Sequence, residues 1–160
     1  MKPAKQDVTP VTLGSYQHGE KFIPTIIRKC LEQESIPVYG DGSNIRDWLY
    51  VQDHCSGIID AVVRKGALGE VYNIGGINEW KNIDICRLIY QLMDERIPNH
   101  APHDKLITFV TDRPGHDWRY AIDATKMNDK LNWHPAETFE TGIRKTVDWF
   151  CDFDAAVRIQ

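Results

Sequence analysis

The segment GEVYNIGG, residues 69–76, most constrains what this chain can fold into. Val71, Tyr72 and Ile74 running into a double glycine predict a buried strand that ends in a tight turn. Such a strand needs neighbours at its edges and helices on its faces. Only about three other short runs have strand character: residues 36–39, residues 46–51 and LITFV at 106–110. The sequence therefore predicts an α/β chain of helices with a few short strands, too few for a complete parallel sheet. Residues 69–76 read as the edge of something larger.

The helices are clearer. In KFIPTIIRKCLEQE, Phe22, Ile26, Ile27, Cys30 and Leu31 fall at helical spacing, with Pro24 tolerated in the first turn. Asp53 is expected to cap a helix over HCSGIIDAVVRK that Gly66 stops, and Asn82 or Asp84 to cap an amphipathic helix that ends before Pro98. Asp123 should cap a short helix, and ETFETGIRKTVDWFCDF reads as a C-terminal one. IPVYGDGSNIRDWLYV suggests two extended segments joined by a Gly-Asp-Gly turn into one small β unit. Residues 1–15, with Pro3 and Pro10 as breakers, read as an irregular lead-in, and the tail 154–160 should fray.

Bulk properties exclude several classes of function. At 160 residues the chain is one domain long, able to bury roughly two-thirds of its unfolded surface. A net charge of -4 disfavours nucleic acid as a bulk partner. There is no apolar run of about 18 residues and no signal-peptide pattern, so the expectation is a cytoplasmic chain with no membrane partner. Cys30, Cys55, Cys86 and Cys151 have no paired spacing and read as reduced, mostly buried thiols.

The catalytic signatures of a dinucleotide fold, a P-loop, a zinc protease and a serine hydrolase are all missing from the sequence. His100, His103 and Asp104 have a spacing that could touch a metal, but a solvated loop explains them, and no metal site is expected. Helix capping accounts for the pair Asp53 and His54 without a catalytic role. Arg46 sits among bulky residues in an extended run, where either a salt bridge to Asp47 or Asp53 or an anion contact would explain it. Asp112 to His116, DRPGH, places a guanidinium and an imidazole on a turn fixed by Pro114 and Gly115. Arg46, Asn82, Arg113 and His116 could together neutralise two phosphates, with Tyr39 as an aromatic wall for a base.

In order along the chain, EKFIPTII, IPVYGDGSNIRDWLYVQDH, GEVYNIGG, NEWKNIDI, TDRPGHDWRYAID and ETFETGIRKTVDWF resemble the C-terminal half of the dTDP-glucose 4,6-dehydratases. These are extended short-chain dehydrogenases. The resemblance covers residues 16–153 and implies the substrate-binding portion of that fold, with the Rossmann, NAD-binding half missing. It implies that Lys21, Phe22, Ile23, Pro24, Pro37, Val38 and Tyr39 surround the nucleoside and sugar. Arg46, Asn82, Asp112, Arg113, Pro114, Gly115 and His116 would lie on the diphosphate side. Where the family reads Asn-Asn-Tyr-Gly-Pro-Tyr this chain has VTLGSY, so Val11, Thr12, Leu13 and Ser15 replace the asparagines, tyrosine and proline. One substrate-binding asparagine is thereby absent.

The family's glycine-rich NAD fingerprint, its Tyr-x-x-x-Lys pair and its acid-base residues belong to the other half, so no catalytic or cofactor-binding residue is expected here. The resemblance implies NAD for the full-length enzymes, a dTDP-sugar as ligand, and a role in deoxysugar, dTDP-rhamnose and lipopolysaccharide synthesis. Three readings remain: a truncated dehydratase inactive alone, a non-catalytic module that binds dTDP-sugars or pairs with a separately encoded Rossmann half, or a functionless relic. A chain without its packing partner should also expose apolar faces.

Overall fold

The computed structural model describes residues 11–158. Its centre is the strand β3 (Ile45–Tyr50), buried almost throughout. Along its C-terminal half runs β1 (Val11–Leu13), parallel, with Leu13 opposite Tyr50. Its N-terminal half is flanked by the antiparallel β4 (Glu79–Lys81) and the parallel β6 (Arg119–Tyr120). Residues 11–13 are thus not part of an irregular lead-in. Their ladder partner lies 37 positions away, from Val11 to Trp48, and three residues are too few for any periodicity to show it. Residues 1–10 of that expected lead-in lie outside the described residues.

The single β unit expected over residues 36–51 is also corrected. β2 (Ile36–Tyr39) pairs in parallel with β5 (Ile107–Val110), from Ile36 opposite Ile107 to Tyr39 opposite Val110, in a sheet separate from β3. Gly42, at φ +74°, turns the chain between the two sheets. A Cβ on it would lie 2.8 Å from the Ile83 side chain and 2.9 Å from that of Val38, so the turn is pressed onto the core.

No strand forms over residues 69–78. A strand needs a ladder, and the backbone here spends its donors elsewhere. Gly76 N–H and Asn78 N–H donate to the Asp47 carboxylate at 3.1 and 2.9 Å, and Trp48 N–H donates to Asn78 O at 3.0 Å.

Helix α1 (Phe22–Glu32) buries Ile23, Ile26, Ile27 and Cys30, and stops where Gln33 turns left-handed at φ 56°. Helix α2 (Val51–Ile59) follows β3 directly, with extended Tyr50 as its N-cap, and continues through a π-helical turn, Asp60–Arg64. Asp53 therefore lies inside the first turn instead of capping it. Its oxygens accept the N–H groups of Ala136 and Glu137 at 3.1 and 3.0 Å, tying the first turn of α2 to the segment before residue 139.

Helix α3 (Asn82–Arg96) has no side-chain cap, so neither Asn82 nor Asp84 performs the expected capping. Its first N–H groups are taken by the loop before β3: Asn82 donates to Asn44 O and Ile83 to Gly42 O, both at 3.0 Å. The short α4 (Thr125–Leu131) does receive the expected help, Thr125 N–H donating to the Asp123 carboxylate at 3.0 Å. α5 (Phe139–Arg158) stays helical past Asp154.

The main core lies between α1, α3, α5 and the two sheets, with Ile23, Ile27, Ile85, Ile89, Met93 and Ile143 fully buried. A second cluster, Leu49, Met127, Leu131 and Trp133, sits under α4. Cys30, Cys86 and Cys151 are buried free thiols, and burial pushes the first two up to about 12; Cys55 is exposed. His103 corrects the solvated-loop reading. It is fully buried, its Nδ1 2.5 Å from Asp94 Oδ1 and its backbone N–H donating to the same oxygen. Among the described residues no group of His, Cys, Asp and Glu could hold a metal, and no helix is long and apolar enough to cross a membrane.

Candidate functional site

The residues singled out by sequence gather in two neighbouring groups along residues 112–120. In the first, the backbone of β2 meets that of β5, and Gly40 N–H donates to Val110 O at 2.9 Å. This brings Tyr39 beside the DRPGH turn, its ring edge-on to that of His116 with centroids 6.2 Å apart. Gly115, at φ +73°, lets the turn close back on itself. Asp112 Oδ1 accepts the Arg113 N–H at 2.9 Å and contacts His116 Nδ1 at 2.7 Å. The contact with His116 holds the Asp112 carboxyl below its ordinary range. The imidazole side chain is only 6% exposed, whereas Arg113 and Pro114 are exposed.

The second group surrounds Arg46. Register places it opposite Tyr120 on β6 and Trp80 on β4. No salt bridge to Asp47 or Asp53 forms. Arg46 Nη1 donates to Ile45 O at 2.7 Å, and the guanidinium lies over the Tyr120 ring, 4.5 Å from its centroid. Burial lowers the Arg46 pKa, Tyr120 and Asp117 oppose that shift, and the nearby positive charge of Arg113 adds to it. Asn82 is half-buried and stands beside Asn44, whose side chain donates to Asp117 O at 3.2 Å. Two guanidiniums, an imidazole and an amide thus stand around one loop, an arrangement suited to a small polyanion.

The remaining sequence candidates fall elsewhere or point elsewhere. Ile23 and Val38 are core residues at 0% and 1% exposure, so only their backbone could meet a ligand. Pro24 is buried and lines an apolar groove with Ile27, Leu31, Phe150 and Phe153. Phe22 is half-buried, while Lys21 and Pro37 are exposed. No hydrogen bond or ion pair among the described residues joins residues 21–24 to the Arg46 and DRPGH groups.

Arg119, the second arginine of RPGHDWRY, belongs to the frame. It makes two bonds to Glu79, at 2.6 and 2.7 Å, across β6 and β4. The bonds lower the Glu79 pKa and raise that of Arg119. Sequence reasoning missed Tyr120, Asp117 and Asn44. Tyr120 lies within the quoted motif, but only the register with β3 shows which cation it faces.

A family model described as GDP-mannose 4,6 dehydratase matches residues 13–146. The chain belongs to that family. Within it, dTDP-glucose 4,6-dehydratase of Shigella flexneri is 53% identical over 137 residues, which are 86% of this chain and 38% of that protein. A crystal structure of dTDP-glucose 4,6-dehydratase from Bacillus anthracis in complex with NAD matches with TM-score 0.79 and 45% identity. The match covers 90% of this chain and 43% of that one. DesIV, the dTDP-glucose 4,6-dehydratase of Streptomyces venezuelae with NAD and TYD bound, matches at TM-score 0.79 and 33% identity, over 91% and 43% of the two chains. The expected α/β fold of an extended short-chain dehydrogenase holds, and the chain spans about two-fifths of the length of these dehydratase relatives.

NAD is bound in the two solved dehydratase relatives named above. A dinucleotide cradle needs an open glycine-rich turn between a strand and a helix. Here β3 enters α2 with no intervening loop. The loop between β1 and α1 has two glycines; a Cβ on Gly19 would meet nothing within 4 Å, and one on Gly14 would already meet Val51 Cγ1 at 2.4 Å. The space at Gly14 is filled by a side chain.

Proposed function

We propose that this chain is the nucleotide-sugar-binding part of a dTDP-glucose 4,6-dehydratase, its substrate part spanning residues 16–153. One observation carries the reading. A buried arginine, Arg46, has one described side-chain hydrogen bond, to Ile45 O, and among the described residues its guanidinium stacks on Tyr120 without a carboxylate in ion-pair contact. A buried guanidinium with N–H groups left unused is suited to bind an anion. In this reading Arg46, Asn82, Arg113 and His116 bind the diphosphate of a dTDP-sugar, with Asp112 orienting the imidazole. Tyr39, Pro37, Lys21 and the backbone of residues 22–24 and 38 border the nucleoside and sugar. The setting is cytoplasmic deoxysugar synthesis, including dTDP-rhamnose and lipopolysaccharide.

Among the described residues no group is placed to hold a nicotinamide against a sugar carbon, and in this reading the chain does not perform the dehydration alone. Formation of a 4-keto-6-deoxy sugar by the purified chain would overturn that statement. The binding reading is tested by calorimetry with dTDP: the chain should release or absorb heat on titration, and Arg46→Ala should weaken binding by about 1.5–3 kcal/mol. No heat at millimolar dTDP would reject the site.

A second reading is favoured by the apolar surface of α2 and the segment after it, where Ile58, Ile59, Val62, Val63, Leu68, Val71 and Ile77 are exposed. The occupant would be a separately encoded NAD-binding half. Mixing this chain with the part of a relative that it does not span should give a complex with dehydratase activity; two separate peaks in size exclusion would reject the pairing.

A further inference from the structure

An arginine that binds an anion must be held in place without being neutralised. A carboxylate partner would hold it, but would also occupy its N–H groups and cancel its charge. An aromatic face holds the cation through the ring quadrupole and leaves the N–H edge free. Tyr120 offers such a face to Arg46, 4.5 Å from the guanidinium carbon.

The ring is itself fixed from three sides. β6 is paired with β3, Tyr120 opposite Arg46. The Tyr120 hydroxyl donates to the Asp117 carboxylate, and that bond raises the Tyr120 pKa. The backbone around Asp117 is in turn held by Asn44, through its side-chain amide to Asp117 O, and by Ile45 N–H to Trp118 O at 2.8 Å. Asp117 thus supplies negative charge close to Arg46 without forming an ion pair with it. Among the described residues the guanidinium donates only to Ile45 O, and none of its nitrogens is a buried atom lacking a partner. Its remaining N–H groups reach solvent.

We propose that Tyr120 is a positioning residue of the candidate diphosphate site: its ring, anchored through Asp117, holds the Arg46 guanidinium with its N–H edge free for an anion. Without the ring, repulsion from Arg113 and the gain in hydration would draw the Arg46 side chain outward. The proposal rests on the reading of this site as one for a nucleoside diphosphate.

The test combines NMR of the Arg46 Nε–H group with dTDP calorimetry on the full chain. In the wild type the Arg46 resonance should stand upfield of the exposed arginines because of the Tyr120 ring current. Tyr120→Leu should return it to the ordinary position and weaken dTDP about 3- to 30-fold, while Tyr120→Phe, which keeps the ring and loses the Asp117 anchor, should keep the upfield shift with an affinity between those of the wild type and Tyr120→Leu. Equal dTDP affinity in the wild type and Tyr120→Leu, or an unshifted wild-type resonance, would overturn the positioning role. A shifted resonance with no dTDP heat would reject the nucleotide reading instead and leave the Arg46–Tyr120 contact standing. Because the shift is read in the wild type, the contact is tested even if the leucine variant fails to fold.

Discussion

Helices α2 and α3 both present an apolar stripe at helical spacing, yet they have opposite fates. On α3, Ile85, Ile89 and Met93 are fully buried between α1, α5 and the sheets. On α2 and its π-helical extension, Val62 and Val63 remain 77% and 75% exposed. The same pattern therefore becomes a core in one place and an open face in the other. What differs is the partner: α3 has two helices from this chain against it, whereas the relatives are more than twice as long as this chain. Amphipathicity says that a face will be buried against something, and not that the something is encoded in the same residues.

Core truncation should separate the two faces most strongly. Ile89→Ala should cost about 2–5 kcal/mol in urea denaturation, whereas Val62→Ala should change stability by under about 0.5 kcal/mol. Equal costs would mean that the α2 face is packed in solution.

A close-packed turn gives the next effect. Gly76 lies so near β3 that an added Cβ would meet Trp48 O at 1.8 Å, a clash with backbone that cannot move aside. Gly76→Ala should cost about 1–3 kcal/mol or more, measured by the same denaturation. A neutral result would show residues 75–78 to be as loosely held as the exposed segment before them.

The two carboxylates of RDWLYVQD sharpen the comparison further, because each ties a distant loop to the packed side. Asp53→Ala leaves the N–H groups of Ala136 and Glu137 without their acceptor and should cost about 1–3 kcal/mol. Asp47 behaves differently with pH. Burial raises its pKa despite the N–H donors of Gly76 and Asn78. A raised carboxyl pKa means that the folded state holds the proton more tightly than the unfolded one. The Asp47 contribution to stability therefore improves as pH falls from neutral through the folded pKa toward the ordinary value of 3.8. Asp112 has the opposite sign, its contribution being lost on acidification below 3.8. Carboxyl NMR titration should show Asp47 titrating at higher pH than Asp112; the reverse order would place Asp47 in water.

The smallest effect on stability falls on the open face. Val62→Lys should leave the melting temperature unchanged within about 2 °C, since surface changes are worth under about 0.5 kcal/mol. It should reduce self-association in sedimentation velocity, because it breaks a contiguous apolar surface. No change in association would mean that this surface is not adhesive.

The sequence alone determined which stretches are helical, because α1, α3 and α5 carry their signal in local spacing. It also determined the cation-rich turn at residues 112–116, since Pro114 and Gly115 dictate a turn wherever it sits. Only the tertiary structure decided that residues 11–13 pair with β3, that residues 69–76 form no ladder, and that Asp53 serves Ala136 and Glu137 in place of its own helix. The two arginines of RPGHDWRY were likewise indistinguishable as letters. Register across β3, β4 and β6 sends Arg119 to Glu79 and sets Tyr120 under Arg46. Local propensity is a property of neighbours in sequence, whereas strand pairing and charge partners depend on residues tens of positions away, and only folding makes those neighbours.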